Sequence, residues 1–198
     1  MAHVDPLPRQ AATEFEEYFR LLDRTAGYVP NSFLTMARLP ELFRGYLAFS
    51  GALARLDRVD AGLKVLMSHL ASSANGCRFC EAHTSHTARQ RGVEAERIAA
   101  VWEFETSALF DEAERAALRL ALAMGRSPND VTSDHFDALR SHFDEEQIVE
   151  MVAAVCLFGF WNRWNDTLAT DLERPVAELA EVVIGARGWA PGRHRVAD

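Results

Sequence analysis

Long apolar runs, a basic excess and strand patterns are all missing from this sequence of 198 residues. The longest apolar run, Met151 to Trp161, is shorter than the ~20 residues that a membrane-spanning helix needs. The net charge of −8 argues against nucleic acid or an anionic membrane as partner, because both repel an acidic protein. The beginning of the chain is polar and acidic, so we expect no secretory signal and a cytoplasmic location.

Cysteine is also rare, with three residues in the whole chain. In a reducing cytoplasm, a Cys-x-x-Cys pair is more often redox-active than structural. Cys77 and Cys80 form such a pair. The third cysteine, Cys156, lies within the apolar run and is expected to be a small core residue.

What the sequence does contain is helical periodicity. Every periodic segment repeats near 3.6 residues, so we expect an all-α fold. The 48% hydrophobic composition is enough for one core and predicts a single helical-bundle domain over 1–198. Its thiol half is expected at about 30–105 and a scaffold half at about 111–184. Residues 1–10 and the tail from Gly185 onward are expected to be loosely ordered.

Residues typical of helix N-caps predict where the helices begin. Asp111 with Glu114, and Thr13 with Glu16, have the spacing of a capping box. Asp57 is expected to cap another helix. Further helices are expected to begin near Asn31 or Ser32, Pro40, Thr132, Asp144 and Pro175.

The cysteine pair lies at an expected helix start, with Asn75 as N-cap and Gly92 closing the helix. Helical residues three apart lie about 60° apart around the axis, so Cys77 and Cys80 can form a disulfide with modest adjustment. First-turn N–H groups and the helix dipole favour an anion, which lowers the pKa of a cysteine. The pattern therefore predicts a redox-active dithiol.

Three other side chains of this helix are candidates for supporting roles. His83 follows Cys80 by one turn and can move protons for that sulfur more easily than for Cys77. Arg78 would stabilise a thiolate if it folded back over the sulfurs. His86 lies a further turn along and points nearly opposite Cys77.

Zinc binding and two inert cysteines are the alternatives to redox chemistry. The helix carries four residues of the types that zinc binds: Cys77, Cys80, His83 and His86. The first and last of them are about 13 Å apart along one continuous helix, so at most two or three can bind one ion. We therefore expect no metal and no other cofactor. The Cys-x-x-Cys spacing is also short enough to arise by chance.

Three stretches resemble a known family. Residues 75–83, Asn-Gly-Cys-Arg-Phe-Cys-Glu-Ala-His, are similar to the signature of the carboxymuconolactone decarboxylase and alkylhydroperoxidase D superfamily, in its peroxidase-related branch. Residues 27–33, Gly-Tyr-Val-Pro-Asn-Ser-Phe, resemble its amino-terminal segment, and residues 160–166, Phe-Trp-Asn-Arg-Trp-Asn-Asp, its late aromatic segment. The resemblance extends from about Gly27 to Asp171. It implies an alkylhydroperoxidase D-like bundle and a homo-oligomer, either a trimer or a hexamer.

The resemblance implies a thiol-dependent alkyl hydroperoxide reductase or disulfide oxidoreductase. Cys77 and Cys80 would be the redox pair, a peroxide the substrate and an unidentified dithiol the reductant. Two positions depart from the pattern of alkylhydroperoxidase D. Thr84 stands at its histidine position, one residue after His83, and Val65 at the position of its proton-relay glutamate. Turnover is therefore expected to be weaker or to use a different base.

Two other functions stay open. The superfamily's other name implies decarboxylation of a cyclic lactone acid, which needs a base and a carboxylate-binding site but no cysteine pair. The presence of Cys77 and Cys80 favours the reductase. The missing relay glutamate gives weight to a non-enzymatic, oligomeric protein that binds ligands or senses redox state.

The second half of the chain offers weaker signals. A shift of 85 residues aligns residues 63–81 with 148–166, which hints at an internal repeat and places Glu150 at the relay position. Asn162, Arg163 and Asp166 are expected to form a buried polar network. Aromatic residues are candidates for an apolar pocket wall, although core or interface roles are commoner: Trp102, Phe104, Phe158, Phe160, Trp161 and Trp164.

Overall fold

The computed structural model describes residues 2–196, and helices account for its architecture. In chain order the α-helices of this range are α1 (Glu16–Thr25), α2 (Asn31–Met36), α3 (Pro40–Ala54), α4 (Ala61–Asn75), α5 (Arg78–Gln90), α6 (Ala95–Ala99), α7 (Glu112–Gly125), α8 (Ser133–Arg140), α9 (Glu145–Leu168) and α10 (Arg174–Ile184). Short 3₁₀ turns lie at Arg9–Ala11, Thr13–Phe15, Val101–Glu103 and Gly185–Arg187.

The predicted all-α class is confirmed. Within residues 2–196 there is no β-strand, only an isolated bridge between Leu172 and Val196. No helix in that range is long and apolar enough to cross a membrane.

Helix α4 is the centre of the bundle. All of its residues from 65 to 72 are buried, and it packs against α5, α7 and α9. A helix buried on every face must be surrounded by other elements. Since α5 follows α4 directly, the two cysteines at the start of α5 are held against the core.

The predicted N-cap of α4 was wrong, because the helix begins about one turn later than expected. Asp60, not Asp57, is the N-cap, and its carboxylate accepts a hydrogen bond of 2.8 Å from the backbone N–H of Leu63. Asp60 directly precedes the first helical residue, which is the position from which a side chain reaches the third N–H.

Of the other capping and helix-start predictions, those at Asp111 and Asp144 are correct and the one at Thr13 is wrong. Capping boxes are present at Asp111, as predicted, and at Asp144, where a helix start was expected. The capping box predicted at Thr13 with Glu16 is wrong. Residues 13–15 form a 3₁₀ turn and α1 begins at Glu16, whose carboxylate pairs with Arg9 and Arg20 instead.

Both ends of the described range, residues 2–196, pack against the helices, contrary to expectation. The backbone N–H of His3 donates to the carbonyl of Leu168 at 2.7 Å, and that of Leu172 to the carbonyl of Arg195 at 2.7 Å. Trp189 is 5% exposed and His194 is 1% exposed. Large buried side chains hold the tail in place despite its glycines and prolines. Met1, Ala197 and Asp198 lie outside the described residues.

The two stretches of the suggested internal repeat have different shapes. Residues 63–81 contain the break between α4 and α5 at Gly76, whereas residues 148–166 lie in the uninterrupted helix α9. Cys156 on α9 was expected in the core but is exposed. The buried stripe of α9 includes Ile148, Met151 and Val155, and residue 156 lies beside that stripe.

Gly125 allows the close approach of α7 to α4. A Cβ atom there would lie 2.4 Å from the carbonyl oxygen of Ala71 and 2.8 Å from its Cα. Backbone atoms cannot rotate away as a flexible side chain can, so the two helices would have to separate.

Gly125→Ala should therefore lower the free energy of unfolding by about 2 kcal/mol or more, measured by urea denaturation. Gly45→Ala is the matched control, because Gly45 lies inside α3 and a Cβ there would meet nothing within 4 Å. That change should be neutral or stabilise the protein by about 0.5–1 kcal/mol. Equal effects of the two substitutions would contradict the close approach.

Candidate active site

The break between α4 and α5 positions the thiols. Gly76 follows α4 in the left-handed conformation, with φ of 84°, and Cys77 is the N-cap of α5. The Sγ of Cys77 accepts a hydrogen bond of 3.4 Å from the backbone N–H of Cys80. Asn75, expected as the cap, is instead the last residue of α4, because the chain reverses at Gly76. Gly92 follows the end of α5 with φ of 81°, as expected.

The two thiols face different surroundings. Both cysteines are buried and free, at 0% exposure for Cys77 and 2% for Cys80. A cavity of about 400 Å³ lies beside α5, and Cys80 is the one described cysteine on its wall. The side-chain amide of Asn165 donates to the Sγ of Cys80 at 3.8 Å. A ligand in the cavity therefore meets Cys80 first.

The cavity wall is rich in aromatic side chains: Tyr18, Tyr28, Phe33, Tyr46, Phe79, Phe158 and Trp161. Of the aromatic residues proposed from sequence, Phe158 and Trp161 lie on this wall. Phe104 is buried in the core and Trp102 is half exposed. The lining favours a small apolar or aromatic ligand.

His83 is the centre of a hydrogen-bonded chain at this cavity. Its Nε2 lies 2.8 Å from a carboxylate oxygen of Glu173, and its Nδ1 lies 3.2 Å from the hydroxyl of Tyr28. A carboxylate only accepts, so Nε2 carries the proton and Nδ1 accepts from Tyr28. The His83 ring also stacks on Phe79, with ring centroids 4.2 Å apart.

Glu173 brings a carboxylate to the site, which the residue at the relay-glutamate position, Val65, cannot do. It directly precedes α10, and its carboxylate also accepts from the backbone N–H of Asn31 at the start of α2. Sequence reasoning found no carboxylate near the thiols, and it missed both Glu173 and Tyr28. No local pattern connects residue 173 to residue 83, and only the folded chain brings them together.

The hydroxyl of Tyr28 keeps its proton. Burial, and next the charge of Glu173, raise the pKa of Tyr28 well above its ordinary value of 10.0. Tyr28 lies on the cavity wall with Cys80 and His83. It is therefore placed as a proton donor to a ligand bound there.

The supporting residues proposed from sequence lie elsewhere. The guanidinium of Arg78 is held by Glu81 at 2.8 Å. His86 packs edge-on against Tyr28 at 5.2 Å, and its buried Nδ1 has no hydrogen-bond partner among the described residues. Burial, then the neighbouring His83, lowers the pKa of His86. Glu150, which the suggested internal repeat placed at the relay-glutamate position, forms a buried ion pair with Lys64 instead.

The four possible zinc ligands of α5 are not brought together. His83 turns to Glu173 and Tyr28, and His86 packs against Tyr28. Within residues 2–196, the one group of three metal-ligand types is Cys77, Asp166 and His194, whose ligand atoms lie within 4.8 Å of one another.

Comparison with known proteins places the chain in a family. Residues 40–123 match the carboxymuconolactone decarboxylase family. The chain is 33% identical to the debrominase Bmp8, with a TM-score of 0.84 over 91% of this chain and 97% of that one. A cysteine-to-alanine variant of Bmp8 in complex with 2,3,4-tribromopyrrole gives the same TM-score.

Two further relatives agree with this placement. The alkylhydroperoxidase D core of a peroxidase-related protein from Ralstonia eutropha JMP134 is 26% identical, with a TM-score of 0.77, covering 87% of this chain and 94% of that one. YdfG of Bacillus subtilis is 34% identical over 46% of this chain, a stretch that spans 63% of YdfG.

The chain belongs to the carboxymuconolactone decarboxylase and alkylhydroperoxidase D-like superfamily, in its peroxidase-related branch. Enzymes occur in the family and among the structural neighbours, which supports an enzymatic role.

Thr84, at the position of the family's histidine, hydrogen-bonds to the protein core rather than to the cavity. Its hydroxyl donates to the carbonyl of Cys80 at 2.7 Å and accepts from Nδ1 of the buried His69 at 2.8 Å. His69 is thus a satisfied core histidine that joins α4 to α5. Burial lowers the pKa of His69 below its ordinary value of 6.5.

Stability should therefore fall on acidification, because below about pH 6.5 the unfolded chain binds a proton that folded His69 does not bind. This contribution is present above that pH and is lost as pH falls toward the lower, folded pKa. Urea unfolding at pH 7.5 and 5.5 should show a smaller pH effect for His69→Gln than for wild type. His142→Gln, at an exposed position, is the control and should behave as wild type. The same pH effect in all three proteins would contradict the assignment.

Proposed function

We propose that the protein is a thiol-dependent reductase in which Cys77 and Cys80 supply two electrons to a hydroperoxide bound in the aromatic cavity. One observation carries the proposal. Cys80 lies on the cavity wall beside the Tyr28 and His83 pair, while the sulfur of Cys77 is hydrogen-bonded to the backbone of Cys80 from behind.

In the first step the thiolate of Cys80 attacks the terminal peroxide oxygen. An S–O bond forms and the O–O bond breaks, which leaves a sulfenic acid on Cys80 and an alkoxide. Ionisation of the Cys80 thiol transfers its proton to the Nδ1 of His83, whose ring Glu173 orients. The hydroxyl of Tyr28 donates its own proton to the alkoxide and takes back the proton held on Nδ1. The products are therefore the alcohol and the sulfenic acid.

In the second step the sulfur of Cys77 attacks the sulfur of Cys80. The S–S bond forms, the S–O bond breaks, and the hydroxide leaves as water with the proton of the Cys77 thiol. An external dithiol then reduces the disulfide and is itself oxidised. The chemical class of this partner is a dithiol, in line with the family resemblance.

Burial supports this division of roles. The start of α5 argues for an acidic Cys77, but burial, and next the adjacent Cys80, raise the pKa of the Cys77 thiol above its ordinary value of 9.0. A thiol kept protonated and away from the cavity suits the resolving role. Cys80 suits the attacking role because it meets the ligand.

A halogenated aromatic ring is a second substrate class. The aromatic cavity wall and the likeness to the debrominase Bmp8 favour it. The thiolate of Cys80 would attack bromine, the C–Br bond would break, and Tyr28 would protonate the ring carbon. Attack by Cys77 on the S–Br sulfur would then release bromide and form the same disulfide. One ring and two thiols would give the reduced ring, a disulfide and HBr.

Replacing Cys77 or Cys80 by Ser should lower dithiothreitol-dependent peroxide consumption, and bromide release from a bromopyrrole, to below about 1% of wild type. Cys156→Ser is the matched control and should keep full activity, because Cys156 is exposed on α9. Unchanged turnover of peroxide and of the bromopyrrole in both single variants would contradict the proposed reductase function. Carbon dioxide release from carboxymuconolactone by the double variant would favour the lyase instead.

Glu173→Gln should lower kcat by about 10²-fold, because the amide cannot support a protonated His83 as the carboxylate does. KM should change little, since Glu173 is not on the cavity wall. Glu178→Gln, on the exposed side of α10, is the control and should leave both constants unchanged. A rise in KM at constant kcat would show that Glu173 shapes the cavity only.

A further inference from the structure

Three distant parts of the chain meet behind the dithiol. Cys77 caps α5, Asp166 lies near the end of α9, and His194 lies in the tail after α10. Cys77 and His194 are buried, and the side chain of Asp166 is 27% exposed. Their ligand atoms all lie within 4.8 Å of one another.

The hydrogen bonds of His194 leave an unusual contact. Its Nδ1 lies 2.9 Å from the carbonyl oxygen of Thr170, which can only accept, so Nδ1 carries a proton. Its Nε2 lies 3.1 Å from a carboxylate oxygen of Asp166. Because Nδ1 holds the N–H, Nε2 is the ring nitrogen that can coordinate a metal ion beside the carboxylate of Asp166.

We propose that Cys77, Asp166 and His194 form a binding site for a zinc-type divalent metal ion. The three side chains offer one sulfur, one oxygen and one nitrogen, which are the donor atoms that Zn²⁺ takes. The thiolate and the carboxylate together balance the charge of the dication. The partly exposed side of Asp166 leaves room for water as a fourth ligand.

The surroundings orient the ligands as metal sites require. A metal-bound histidine usually donates its other ring N–H to a carbonyl or carboxylate, which fixes the ring and its tautomer. The Nδ1 of His194 makes this bond to Thr170. The ring also packs against Phe79 at 5.6 Å, and the indole of Trp189 donates to the carbonyl of Arg78 at 3.1 Å. These contacts hold the tail against α5.

The distances require a modest contraction. Ligand atoms around a tetrahedral zinc ion, with bonds of about 2.0–2.3 Å, lie about 3.3–3.8 Å apart. The present separations are at most 4.8 Å, so the sulfur would have to approach by no more than about 1 Å.

Metal binding and oxidation would exclude each other at Cys77. A sulfur that coordinates the ion as a thiolate is not available to form the disulfide with Cys80. Binding of the ion does not depend on the reductase function, so either proposal can fail without the other.

The test is equilibrium dialysis of the reduced, full-length protein against Zn²⁺, with Co²⁺ as the spectroscopic probe. We expect one ion per chain and a sulfur-to-cobalt charge-transfer band. Cys77→Ser should abolish the band, and Cys77→Ser, Asp166→Asn and His194→Gln should each weaken binding at least about tenfold. Cys80→Ser and His83→Gln are the matched controls and should bind as wild type.

Three results would overturn the site: no stoichiometric binding, binding that survives all three ligand substitutions, or equal loss in the Cys80 and His83 controls. No binding would mean that His194 and Asp166 form only a hydrogen bond with each other. If His194→Gln unsettles the tail in circular dichroism melts, the Cys77 and Asp166 variants decide the result. Peroxide consumption in chelator-treated samples tests the reductase separately.

Discussion

The hydrogen bond between His83 and Glu173 holds the candidate site together. It joins residues 90 positions apart and links α5 to the chain just before α10. The same carboxylate binds the backbone of Asn31, and Tyr28 binds the other side of the His83 ring. Because the polar side chain of Glu173 is buried, it needs these hydrogen-bond partners, and Tyr28 and His83 in turn form part of the cavity wall.

The two thiols therefore lie in different environments: Cys80 on the cavity side, here called the front, and Cys77 on the opposite side, the back. At the front, Cys80 meets an aromatic cavity with a proton donor already in place. At the back, the buried Cys77 has Asp166 of α9 and His194 of the tail near its sulfur. Two thiols only three residues apart in sequence thus have unlike environments, which is what a nucleophile and a resolving thiol need.

Much of the fold could be predicted from the sequence, because its signals are local. The capping pair at Asp111 and the helix start at Asp144 were readable from spacing alone, and helical periodicity gave the class. Errors arose where two local rules competed. Asp57 and Asp60 are both acceptable caps, and only the position of the first helical turn selects Asp60. Asn75 has the right chemistry for a cap, but the left-handed glycine that follows it ends a helix there instead.

The site was only half predictable. Cys77, Cys80 and His83 share one helix, so their spacing identifies them. Tyr28, Glu173 and His194 reach the same helix through tertiary packing, which periodicity does not encode. The tail was misjudged because composition counts glycine and proline, whereas Trp189 and His194 decide where it lies.

The most direct test of this account is to find which sulfur reacts first with a hydroperoxide. A carbon-nucleophile probe for sulfenic acid, read by mass spectrometry, should label Cys80 rapidly in the Cys77→Ser variant. Under the same conditions Cys77 should remain almost unlabelled in the Cys80→Ser variant. Labelling of Cys77 at an equal or faster rate would contradict the assignment of Cys80 as the cavity-facing nucleophile.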